Sequence, residues 1–77
     1  MHAMSAASNF NINAEEYNIL AAELHEATAR CHREAARRHH GALTEEALVW
    51  ATKAHIECNR AFNATIAAHK TSAGDYL

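Results

Sequence analysis

Apolar and polar positions along this chain repeat with a helical period. On its first half the larger side chains Tyr17, Leu20, Leu24, Ala27 and Cys31 recur at alternating steps of three and four, the seam of a coiled coil or helical bundle. On its second half Leu48, His55, Phe62 and His69 fall at steps of seven, with Ala47, Ala54, Ala61 and Ala68 beside them at the same step. A column of alanines lets two helix backbones approach closely, which favours a narrow antiparallel contact over a thick core. Trp50, Val49, Ile56 and Ile66 lie partly outside that seam, so the second helix carries more apolar surface than one partner helix covers.

Boundary signals divide the pattern. Residues 1–12 are small and polar without a sustained period and read as a flexible N-terminal arm. Asn13, with Glu16 three residues on and Ile12 placed to staple onto Tyr17, reads as a helix start. The helix then runs over about 14–40, where Gly41 is expected to supply the left-handed closing residue and Arg37, Arg38, His39 and His40 place positive charge at the negative end. Thr44 reads as the cap of a second helix, with Glu45 and Glu46 in its first turn and Leu43 set to staple onto Leu48. That helix continues over about 45–73, Gly74 closes it, and 75–77 is a tail. A connection of about three residues is typical of antiparallel neighbours. The expectation is an all-α, antiparallel two-helix hairpin within 13–74 that dimerises into a four-helix bundle, with Leu20, Leu24, Leu48 and Phe62 as core.

Composition supports the helices: the chain has no proline and only two glycines. At 77 residues it buries only about 60% of the surface exposed when unfolded and needs a disulfide, a metal or a partner. Two cysteines in helical sequence with no signal peptide ahead point to a reducing, cytoplasmic setting rather than a disulfide scaffold. The net charge of −2 creates no global attraction to nucleic acid or anionic membrane, and the longest apolar runs fall far below the roughly 20 residues that span a bilayer.

Seven histidines require a reason. His25, His32 and His39 form a column on the first helix, but neighbours in it stand about 10.5 Å apart along the axis, too far for one ion to bridge. Folding the chain about Gly41 to Leu43 brings His32 near His55, three residues from Cys58, with Cys31 at nearly the same height. Two imidazoles and two thiolates suit zinc or another divalent transition metal, so His32, His55, Cys58 and Cys31 are the candidate ligands. Against this, Cys31 and His32 diverge by about 100°; the bland reading makes the cysteines small seam residues and the histidines marginal ones. A Cys31–Cys58 disulfide is a third alternative.

Arg30, Arg33 and Arg37 make a basic stripe that could grip phosphates or an acidic partner. Glu26–Arg30, Arg30–Glu34 and Glu34–Arg38 are spaced as ordinary solvated helix pairs, however, and aromatics for base stacking are few, so nucleic acid is not the expected partner. Catalysis is not expected, because a Cys58–His55 couple has no loop to form an oxyanion hole.

The segment AAELHEATARCHREAARRHHGALTEEALVWATKAHIECNRAFNATIAAHK, about residues 21–70, resembles a group of small, uncharacterised, alanine- and histidine-rich bacterial proteins. The resemblance implies a helical hairpin of bacterial origin and no activity; Cys31 and several aliphatics replace histidines of that group. The sequence thus points to a homodimeric binding or assembly module, with room for another protein partner, and to a transition-metal binding protein as the alternative.

Overall fold

The computed structural model describes the backbone of residues 2–74 and the side chains of 13–74; the tail at 75–77 and the Ile12 half of the expected staple lie outside the described residues. Two helices, α1 (His2–His40) and α2 (Thr44–Ala73), pack against each other as an antiparallel hairpin, a rod of 61 × 16 × 13 Å. No helix among the described residues is long and apolar enough to cross a membrane.

α1 begins at His2, so Asn13 lies inside the helix instead of capping it, and residues 2–12, expected as a loose arm, continue the helix. That stretch holds neither glycine nor proline, and an interior Asn disfavours helix by well under about 1 kcal/mol, too little to end one. With 39 residues against 30, α1 outruns α2.

The turn also departs from expectation. Leu43 N–H donates to the Arg38 carbonyl at 2.7 Å and Ala42 N–H to that of His39 at 3.0 Å, the paired bonds of a Schellman closure. The left-handed residue of that closure is Ala42, with φ 62°, and not Gly41. Gly41 simply continues the helix, its N–H donating to the Arg37 carbonyl at 3.0 Å. Since the closure ends at Leu43, α2 starts without a spacer: Leu43 occupies the cap position and its carbonyl accepts from Ala47 N–H at 2.9 Å. Thr44 is already helical, and no side chain caps the helix. Glu45 and Glu46 do sit in the first turn, and Gly74 does close α2 in the left-handed conformation at φ 78°, its N–H reaching Lys70 and Thr71 carbonyls.

Among the described residues the buried core consists entirely of alanine: Ala21 and Ala35 from α1, and Ala47, Ala54, Ala61, Ala64 and Ala68 from α2. The alanine column is therefore the seam, and the expected core of larger residues is displaced. Leu20, Leu48 and Phe62 are 42%, 66% and 62% exposed, and Leu24 is half-buried. Leu48 follows Ala47 and so points about 100° away from the seam. Methyl-lined helices come too close to admit anything larger between them.

Candidate functional surfaces

The two edges of the hairpin differ. On one edge a ladder of polar contacts joins the helices: Asn18 Nδ2 donates to Ser72 Oγ at 2.9 Å, and His25 Nε2 and Thr65 Oγ1 share a hydrogen bond at 2.8 Å. These rungs are seven residues apart on each helix, two full turns. The same step sets His32 level with Cys58, not with His55 as the sequence suggested, and both are exposed.

Beside this ladder the helices present unlike surfaces. Three residues before each rung lies a column turned about 60° outward. On α1 that column is Ala22, Ala29 and Ala36, and on α2 it is Leu48, His55, Phe62 and His69. The ladder edge thus sets a flat strip of methyls, exposed at Ala22 and Ala36 and half-buried at Ala29, next to a ridge of large side chains.

The opposite edge holds a groove of about 540 Å³ lined by Arg30, Arg33, Arg37, Cys31, Trp50 and Glu57, among others. Lys53 Nζ lies 4.4 Å and Arg38 Cζ 5.8 Å from the Trp50 ring centroid, where a cation is attracted by the negative face of the indole. Glu34 pairs with both Arg37 and Arg38, and Arg38 also approaches Glu46 at 3.8 Å. Of the expected solvated pairs only Glu34–Arg38 forms; Glu26, Arg30 and Arg33 make no ion pair among the described residues. Trp50 as a groove wall escaped the sequence reading, although its seven-residue step to Glu57 marks one helix face.

The four candidate metal ligands are distributed over both edges. Cys31 is half-buried in the groove, whereas His32, His55 and Cys58 are exposed. Both cysteines are free, and the seam of α-helix contacts separates the Cys31 groove from the Cys58 rung, so the disulfide alternative finds no support. No group of three or more His, Cys, Asp or Glu side chains among the described residues is placed to hold one metal ion.

The fold defines the class, an antiparallel two-helix hairpin with an alanine seam. No family model, curated protein or solved structure matches the chain. Its role is therefore argued from these surfaces alone.

Proposed function

We propose that this chain is a homo-oligomeric binding or assembly module, a hairpin that dimerises by covering large apolar side chains its own fold leaves in water. One observation carries this reading: among the described residues every buried one is alanine, while Leu20, Leu48, Val49, Ile56, Phe62 and Ile66 are exposed. A buried methyl contributes only about 0.8 kcal/mol, against about 1.5–3 kcal/mol for a fully buried Leu, Ile or Phe. The strongest apolar contributions in the sequence are thus unrealised in a single hairpin, and association recovers them. Sedimentation equilibrium at micromolar concentration tests this. A dimer or larger species is expected, and a folded monomer overturns the proposal.

A divalent transition metal is the second reading, supported by the level placement of exposed His32 and Cys58. Two copies together offer two imidazoles and two thiols, a set suited to zinc. Zinc titration should then saturate at half an ion per chain and fail in Cys58→Ala. Unchanged binding in that variant, or none in the wild type, removes this reading.

A further inference from the structure

The outer face of α1 is charged in two blocks. At steps of seven, one column reads Glu16, Glu23, Arg30, Arg37 and its neighbour Ile19, Glu26, Arg33, His40; all eight residues are exposed. Both columns are acidic or apolar toward the open end of the hairpin and basic toward the turn. The remaining charge is mixed: Arg38, Lys53 and Arg60 in the turn half and Glu15 in the open half share this polarity, whereas Glu34, Glu45, Glu46, Glu57 and Lys70 do not. An α1 helix laid beside a parallel copy sets like charges opposite one another. Beside an antiparallel copy, each column meets its complement.

The second column lies on the outer face of α1 about 100° from the ladder, since Ile19, Glu26, Arg33 and His40 each follow one residue after Asn18, His25, His32 and His39. Between this column and the ladder lie Ala22, Ala29 and Ala36, whose methyls allow a second α1 to come close. The same edge of α2 carries Leu48, Phe62 and, one residue after Thr65, Ile66, with exposures of 66%, 62% and 39%. An antiparallel two-fold pairing sets α1 beside α1 and α2 beside α2, so charge complement and apolar cover coincide on one face.

We infer that a second copy of this chain docks antiparallel on the ladder edge, with Glu26 of each copy facing Arg33 of the other and Leu48, Phe62 and Ile66 covered between them. The inference rests on the self-association proposed above and adds its face and direction. Glu26 and Arg33 have no ionic partner within the hairpin among the described residues; Arg33 lines the opposite groove in the single hairpin, and the docking requires its side chain to turn from there toward the neighbour. The apolar cover supplies affinity and the charges select direction, because exposed ion pairs contribute little individually while opposed like charges are unfavourable.

Charge exchange provides the test, read as dimer dissociation constants by sedimentation equilibrium at low salt. Glu26→Arg makes the inner stretch of the column uniformly basic and Arg33→Glu makes it uniformly acidic; each is expected to weaken self-association about tenfold. An equimolar mixture of the two variants should recover wild-type affinity as a heterodimer, as should the double variant E26R/R33E alone. A parallel dimer responds differently, since reversing Glu26 there only replaces one like-charge contact by another. If the wild type dimerises and the single variants bind as well as it does, or the double variant fails to recover, the antiparallel docking falls and self-association stands. A monomeric wild type overturns both. Circular dichroism of each variant confirms that these surface changes leave the helices formed.

Discussion

Exchanging the two residues at the turn should stabilise the hairpin. Ala42 holds the left-handed conformation at φ 62°, where its Cβ crowds the following carbonyl at a cost of about 1–2 kcal/mol. Ala42→Gly relieves that crowding and loses about 0.4–1 kcal/mol to the greater freedom of the unfolded chain, for a net gain of about 0.5–1 kcal/mol. Gly41 lies one residue earlier without a positive φ. A Cβ added there meets the Arg37 and Arg38 carbonyl oxygens at 3.6 and 3.8 Å and Leu43 Cγ at 4.0 Å, ordinary van der Waals separations. Gly41→Ala should therefore gain about 0.5–1 kcal/mol from the lower freedom of the unfolded chain. The double exchange should stabilise by about 1–2 kcal/mol, with incomplete additivity because the residues are adjacent. For a chain of this size about 1 kcal/mol moves Tm by about 4–8 °C. Far-UV circular dichroism melts at one fixed protein concentration read it directly, concentration being held because association shifts Tm. If Gly41→Ala destabilises by more than about 1 kcal/mol while Ala42→Gly gives no gain, Gly41 is the left-handed residue and the reasoning fails.

Four further outcomes follow from the packing. Ala54, fully buried at the seam, should not tolerate Leu, and Ala54→Leu is expected to destabilise the helices by about 1–3 kcal/mol in urea titration through overpacking. Phe62→Ala, 62% exposed, should leave helicity intact and weaken association by tenfold or more. Cys58 is exposed and Cys31 half-buried, so at nanomolar concentration a thiol reagent should modify Cys58 first; raising the concentration into the associated range should protect Cys58 and leave Cys31 unchanged. Equal protection of both cysteines places the covered surface elsewhere. Finally, Tm should rise by several degrees for each tenfold increase in chain concentration; a constant Tm means that the alanine seam alone sustains the fold.

The hairpin was legible in the sequence because its signals are local and agree: no internal proline, Gly41 near the turn, acids after Thr44, and Gly74 at the end. Three details were not. Asn13 has the chemistry of a cap, but capping chemistry ends a helix only where the preceding residues cannot extend it, and residues 2–12 can. Gly41 announced a left-handed residue, yet the chain winds one residue further and strains Ala42. The seam was harder still, because α2 carries two heptad columns about 100° apart, one of alanine and one of Leu48, His55, Phe62 and His69. Periodicity detects both equally, and hydrophobicity favours the larger residues, whereas the closest approach of two helices selects the smaller. The candidate metal set was shifted in the same way: the ladder moves His32 from the level of His55 to that of Cys58, and no periodicity fixes register to within a turn.

The alanine seam also explains why the rest of the surface is shaped as it is. Two helices this close have little interior, so each large side chain must point to one of the two edges or outward. The edges then diverged. The groove edge occupies Arg37 and Arg38 with Glu34, and Arg38 also with Trp50, contacts made within one chain, while Arg30 and Arg33 form no ion pair among the described residues. The ladder edge pairs some of its polar groups in the rungs Asn18–Ser72 and His25–Thr65 and leaves the large side chains Leu48 and Phe62 of its ridge exposed beside His32, His55, Cys58 and His69. Polar groups already paired within the hairpin need not be paired again across an interface, so covering the two rungs exacts little desolvation penalty. An edge that pairs part of its polar groups internally and leaves large apolar side chains in water is the one most favourably covered by another molecule.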